Sequence, residues 1–214
     1  MELGNSFQNI LDSALTFLGG GLSIEVFKYI VEKRKLKQYA EKSLNIVDGF
    51  DDISNIYSQM DKILETTSAS RVMLFRGSNG GGLPMIGSEF YVKAIHQALS
   101  EEDGHNLVER YNNVLIDGHY ANLLRDIVTH GSVKINVDEI PDCLLKKIYL
   151  TEGIKYSEVH YLVSKGLVDR KIKFEIFYLS IGKNDNEGFI NDNDKLNIEF
   201  GVNNIKKIFH KYRS

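Results

Sequence analysis

The segment Ser70–Ser78, SRVMLFRGS, carries Val72 and Leu74 at one parity and Met73 and Phe75 at the other. Successive side chains of a strand point to opposite sides, so this strand is apolar on both faces. It has the pattern of a strand covered on both sides, and the rest of the chain has to supply the two covers.

One cover is written ahead of it. Apolar residues at 27, 30 and 31, at 36, 40, 44 and 47, and at 50, 53, 56, 57, 60, 63 and 64 recur at threes and fours, a helical stripe running to about Ser68. Gly49 with Asp51 and Asp52 is expected to punctuate it, a fresh helix being capped there and running through ISNIYSQMDKILETT. Residues 53–64 are expected to lie on the sheet. Residues 27–47 extend beyond it and suit a helical bundle, which predicts a homo-oligomer built through them. The domain reading is a helical segment over 1–47, for oligomerisation or for docking on a membrane or partner, followed by one domain over 48–214.

Downstream, strands alternate with helices. SEFYVKAIHQAL fits both periods: Phe90, Val92 and Ala94 suit a strand, whereas Val92, Ile95 and Leu99 suit a helix. A helix is expected over 118–129 with Gly131 as its stop, then a half-buried strand carrying Val133, Ile135 and Val137. DCLLKKIYLTEG reads as a short helix opened by Asp142 and closed by Gly153. YSEVHYLVSKG and KIKFEIFYLSIGK read as a hairpin turning near 166–170. The last helix is expected to present Leu196, Ile198, Phe200, Val202, Ile205, Ile208 and Phe209 as its apolar face. Helices first, antiparallel strands in the middle and a helix last make an α+β layout.

With 43% apolar and 26% charged residues among 214, the chain can build a sizeable core. A net charge of −3, with no long basic run in the C-terminal two-thirds, gives no reason to expect nucleic acid as a partner. The single cysteine, Cys143, forms neither an internal disulfide nor a cysteine-rich zinc site, and suits a reducing compartment. The N-terminal apolar stretch is interrupted by Asp12, Glu25 and Lys28, which argues against a bilayer span of about 20 residues. Its positive charges follow the stretch, unlike those of a signal peptide. Residues 6–31 are therefore read as a helix that packs on the domain or on a partner, a membrane surface or a virion part being the alternatives.

The run from Glu152 to Phe209, EGIKYSEVHYLVSKG through GKNDNEGFINDNDKLNIEF, resembles the GAF domain over about residues 50–212. Gly153 leads into a strand, a hairpin follows, the second strand ends in a glycine, and Phe189 precedes an acidic helix start at Asp192 and Asp194. The signature NGGG-P-GS after the first strand is similar to one in uncharacterised GAF-like proteins of bacteriophages and bacteria. The resemblance implies a GAF/PAS-like antiparallel sheet flanked by helices, preceded by a long N-terminal helical segment, with any ligand between the sheet and the central helices. Arg76, His119 and Tyr120 are its candidate polar contacts, with Asp117 beside them.

Asn79, Gly80, Gly81 and Gly82 follow a strand as a phosphate cradle does, yet the loop runs into Leu83 and Pro84 where a P-loop needs Lys and Ser or Thr. A dinucleotide fingerprint is missing too. The loop is read as a turn first and as a ligand-contacting nest of backbone amides second. His96, His105, His119, His130, His160 and His210 are scattered without metal-ligand spacing. GAF-type methionine sulfoxide reductases need a redox cysteine pair, which one cysteine cannot supply. In bilin-binding GAF domains a histidine follows the attachment cysteine, and here Leu144 follows Cys143. The cyclic-nucleotide motif is only echoed in GKNDNEGFINDND, with its Asn-Lys order reversed.

The expectation is a non-catalytic GAF-like protein without cofactor or metal, located in the cytoplasm or a virion. Its main reading is an oligomeric scaffold, phage-encoded and acting through the N-terminal helix. The alternative is a sensory module that binds a small molecule.

Overall fold

The computed structural model describes residues 48–79, 89–100, 107–165, 174–184 and 191–211. The bundle expected over 27–47, the membrane or virion contact over 6–31, the loop glycines Gly80, Gly81 and Gly82, and Phe189 all lie outside the described residues. The chain divides into two units, Met1–Asp51 and Asp52–Ser214, and the sheet belongs to the second.

Six strands form one antiparallel sheet: β1 (Arg71–Ser78), β2 (Tyr91–Leu99), β3 (Val114–Leu115), β4 (Ser132–Asn136), β5 (Tyr156–Lys165) and β6 (Glu175–Lys183). Their spatial order is β3-β2-β1-β6-β5-β4, so the doubly apolar β1 lies inside the sheet, between β2 and β6. The ambiguous segment around residue 92 resolves as strand β2. Pairing with β1 decides it: Val92 and Ala94 are fully buried, while Leu99 of the helical alternative is only half-buried. Two irregularities bend the sheet. Ile95 is skipped where Leu74 pairs with His96 and Phe75 with Ala94, and Leu162 is skipped where Tyr161 pairs with Tyr178 and Val163 with Phe177. An inserted residue raises local twist and lets an open sheet curl.

Helices cover both faces. On one, α1 (residues 48–66) contributes Ile56, Met60 and Ile63, and α4 (Asp192–Lys211) contributes Ile198, Val202 and Ile205; both triplets fall on one helical stripe. These meet Val72 and Leu74 of β1 and Leu179 and Ile181 of β6. The two helices run antiparallel, tied by Lys211 Nζ to Asp52 Oδ1 (2.8 Å), Asn204 Nδ2 to Gln59 Oε1 (3.2 Å) and Asn197 Nδ2 to the Thr66 carbonyl (3.0 Å). Ser68 then donates its backbone N–H and its hydroxyl to Asp194 Oδ2, at 3.1 and 2.7 Å.

Three expectations change here. The helix is already formed at residue 48, so Asp51 and Asp52 cap nothing; Asp52 is buried and receives Lys211. Asn191, not the acidic pair, caps α4 by accepting the Asp194 N–H at 3.0 Å, while Asp194 turns inward to Ser68. Leu196 and Phe200 are exposed, as is Ile53. At about 100° per residue, Leu196 and Phe200 lie on the opposite side of α4 from Ile198 and Val202, and one helix cannot bury both sides against one sheet.

The other face is covered by α2 (Gly118–His130) and α3 (Leu144–Thr151). Tyr120, Leu123, Leu124 and Ile127 of α2, with Leu145 and Tyr149 of α3, pack on Met73, Phe75, Val159 and Tyr178. The expected stop holds: Gly131 takes φ 84° and returns its N–H to the Ile127 carbonyl at 2.8 Å, ending α2 in a conformation other residues adopt at a cost.

At Gly201 α4 packs tightly on α1, since a Cβ there would lie 2.6 and 2.7 Å from the Cγ1 and Cδ1 of Ile63. Gly201→Val is expected to lower unfolding free energy by about 1–3 kcal/mol through overpacking. Leu196→Ser, on the exposed side of the same helix, is expected to stay within about 0.5 kcal/mol, and chemical denaturation measures both.

Candidate functional site

The face under α2 and α3 is assembled from three cross-strand rows over β1, β6 and β5. Arg71 pairs with Gly182 and Gly182 with Ser157; Met73 pairs with Ser180 and Ser180 with Val159; Phe75 pairs with Tyr178 and Tyr178 with Tyr161. Arg71 shares the parity of Met73 and Phe75, so its side chain is directed into this layer and not to solvent. Gly182 provides the room: a Cβ there would stand 2.8 Å from Ile154 Cδ1, 3.0 Å from Arg71 Nε and 3.1 Å from Arg71 Cγ.

The Arg71 guanidinium meets the carboxylate of Glu152, the residue that ends α3, and both side chains are 3% exposed. A carboxylate at a helix C-terminus faces the negative end of the helix dipole, which the guanidinium opposes. Tyr111 donates its hydroxyl to the same Glu152 Oε2 at 2.8 Å, and Arg71 also lies 5.9 Å from the Tyr149 ring centroid. Tyr149 continues the chain to Ser157 Oγ (3.3 Å), and Ser157 and Ser180 share a 3.0 Å hydrogen bond. Farther along, the hydroxyls of Tyr120 and Tyr178 lie 2.6 Å apart. Phe75 stacks on Tyr178 with centroids 5.1 Å apart and meets Tyr111 edge-on at 5.0 Å. The gap left among these side chains is about 10 Å³, room for about one water.

Burial pushes the phenols of Tyr111, Tyr120 and Tyr178 well above the ordinary tyrosine range. They remain neutral hydrogen-bonding groups and are not poised for proton transfer near neutrality. Among the described residues no set of His, Cys, Asp and Glu comes together to hold a metal ion. The residues present do not fit a covalently attached bilin: Cys143 is buried in the core at the start of α3, and a gap of about 10 Å³ has no place for a tetrapyrrole.

Of the residues singled out from sequence, only Tyr120 enters this network. Arg76 lies near the end of β1 in an ion pair with Glu175, its side chain 42% exposed. His119 is exposed on the first turn of α2, and Asn79 follows β1. Asp117 does not face the cavity; it joins two helix starts, Oδ1 accepting the Tyr120 N–H of α2 at 2.8 Å and Oδ2 the Leu144 N–H of α3 at 3.0 Å. Asp142, expected to open α3, is exposed, and Cys143 at the N-cap position makes no side-chain bond there. Burial pushes the Asp117 carboxyl up, but the backbone N–H groups of Tyr120 and Leu144 outweigh it and hold the carboxyl below its ordinary value. Sequence reasoning missed Arg71, Tyr111, Tyr149, Glu152 and Tyr178. A signal existed for two of them: Arg71 is a charge at an inward parity of a doubly buried strand, and Tyr178, Ser180 and Gly182 are the non-aliphatic members of one face of β6.

No protein-family profile matches the chain, and no curated protein matches it in sequence. Solved structures do share its fold. It is similar to a far-red cyanobacteriochrome photoreceptor at 10% identity, over 84% of this chain and 99% of that one, with a TM-score of 0.55. A red/green cyanobacteriochrome in its red-light-absorbing state matches at 11% identity, over 75% and 95%, with a TM-score of 0.52. The GAF domain of a two-component sensor histidine kinase from Bacillus halodurans matches at 11%, over 74% and 93%, with a TM-score of 0.50. The chain has a GAF-like fold.

Arg71→Met alone strands a buried carboxylate and is expected to cost about 3–5 kcal/mol; adding Glu152→Leu is expected to restore most of the loss, read by denaturation of both variants. For Asp117, the depressed carboxyl pKa means its contribution is present above about pH 4, the ordinary aspartate value, and is lost as pH falls through the folded-state value. Asp117→Ala is expected to cost about 1–2 kcal/mol at neutral pH. The gap between wild type and this variant is expected to narrow on acidification below about pH 4.

Proposed function

We propose that this chain is a non-catalytic sensory module that takes a small molecule between its sheet and the α2–α3 layer. The observation that carries this reading is the buried polar network. An ion pair sealed from water, together with hydrogen-bonded tyrosyl and seryl hydroxyls, occupies a layer that apolar side chains would fill at least as stably in a purely structural domain. By their own descriptions the far-red cyanobacteriochrome is a photoreceptor, the red/green one absorbs red light and the third domain is part of a sensor histidine kinase, which supports the class of function and not the identity of a ligand.

A ligand acts by binding better to an arrangement in which α2 and α3 stand off the sheet, and it shifts the population only by that difference in affinity. Tyr120, Tyr178 and Arg71 are the groups that would exchange their present partners for it.

The scaffold reading, in which the domain is an inert part of an oligomer such as a bacteriophage component, has one observation in its favour. None of the network's polar atoms is among the buried atoms left without a partner, so the interior needs nothing further to be complete. Its phage element rests on the NGGG-P-GS signature alone.

Native mass spectrometry of the full chain, followed by thermal denaturation against a panel of small metabolites, tests the two. A retained mass, or a compound that raises Tm in wild type and less in Tyr120→Phe, is the expected result. At about 100 times its Kd such a ligand adds about 2.7 kcal/mol of stability. No retained mass and no stabilising compound would overturn the sensory reading in favour of the scaffold.

A further inference from the structure

A second, open cavity lies outside the sealed interior, where the turn at 107–113 meets the outer side of α3. Its volume is about 190 Å³, and it is lined by Arg110, Tyr111, Lys147, Ile148, Thr151 and Glu152. Lys147, Ile148 and Thr151 fall on adjacent turns of α3, and Arg110 approaches from the turn opposite.

Arg110 and Lys147 are exposed, and among the described residues neither side chain makes a hydrogen bond or ion pair. Two exposed cations at one small cavity make its potential positive and favour a negative group there. The floor does not supply it. Among the described residues of the lining Glu152 alone is acidic, and its charge is matched by Arg71 from inside, so these residues together carry an excess of two positive charges. Ile148 and the edge of Tyr111 add apolar surface, and the Thr151 hydroxyl, which donates to the Lys147 carbonyl at 2.7 Å, keeps lone-pair capacity for a ligand donor. The volume exceeds what a bare inorganic anion fills and suits a short organic body carrying one oxyanion group.

We propose that this cavity is a binding site for a small organic anion, its carboxylate or phosphomonoester held between Arg110 and Lys147 and its body laid on Ile148 and Tyr111. Since Tyr111 and Glu152 belong both to this floor and to the Arg71 network, occupancy here bears directly on the packing under α3. The site stands independently of whether the interior takes a ligand.

The test is an NMR titration of the full chain with glycerol 3-phosphate, phosphoenolpyruvate and uncharged glycerol, following the methyl groups of Ile148 and Thr151. Saturable shifts with the two anions and none with glycerol are expected. The double variant Arg110→Glu, Lys147→Glu, which changes exposed side chains only, is expected to weaken binding at least about tenfold. Tyr120→Phe, which alters only the interior, is expected to leave it within about twofold. Phosphoenolpyruvate carries both a carboxylate and a phosphomonoester and glycerol 3-phosphate only the latter, so a response to phosphoenolpyruvate alone makes the carboxylate necessary, and a response to both makes the phosphomonoester sufficient. No saturable shift with either anion, or shifts indifferent to the double variant, would overturn it. Loss in Tyr120→Phe with the double variant unaffected would assign the response to the interior and overturn it equally.

Discussion

A guanidinium and a carboxylate removed from water hold the parts of this domain in relation to one another. Arg71 opens β1, Glu152 ends α3, and Tyr111, which shares the carboxylate, belongs to the turn after β2. Neither Arg71 nor Glu152 could place its charge here without the other, because an unmatched charge in that layer costs several kcal/mol. Gly182 belongs to the same constraint by subtraction: its missing side chain is the space in which the arginine lies. The pair thereby fixes the height of α3 over the sheet, and with it the depth of the cavity on the helix's outer side.

The two covers of the sheet are built on different principles. Beneath α1 and α4 the layer is mostly aliphatic, with Phe177 and Phe209 among its members, the Glu158–His160 pair buried on β5 and further polar ties along the helix–helix seam, and a glycine lets the helices close on each other. Beneath α2 and α3 it is aromatic and hydroxylated, so its cohesion depends on direction as well as on area. The first layer tolerates little rearrangement because its packing is dense. The second can exchange hydrogen-bond partners at lower cost, provided that each hydroxyl finds another.

The layer order was legible from the sequence because it depends on local periods. The doubly apolar parity of β1, the hairpin of β5 and β6 and the glycine stop after α2 each rest on residues within one element. The segment around Val92 was not decidable alone, since Ile95 belongs to a bulge and breaks strand alternation at the place where a helical period begins to fit. The apolar face of α4 was overdrawn for a related reason: Leu196 and Phe200 share a face with each other but not with Ile198 and Val202. The network itself was largely hidden. Arg71 and Glu152 are 81 residues apart, and a pair of that separation leaves no trace in spacing. Asp117 looked like a pocket residue because its second hydrogen bond goes to Leu144, in another helix 27 residues on.

That shared carboxylate has a mechanical meaning. Both oxygens of one side chain bind the starting turns of α2 and α3, bringing two positive helix ends toward a single negative group. The ends cannot separate without one of them giving up its anion, so the pair is pinned at a common corner. Displacement of the two helices is thereby reduced to a swing about that corner. The end of α3 away from that corner is the one that Glu152 holds to Arg71, so it swings only when that pair parts, as a door moves only once its latch is free.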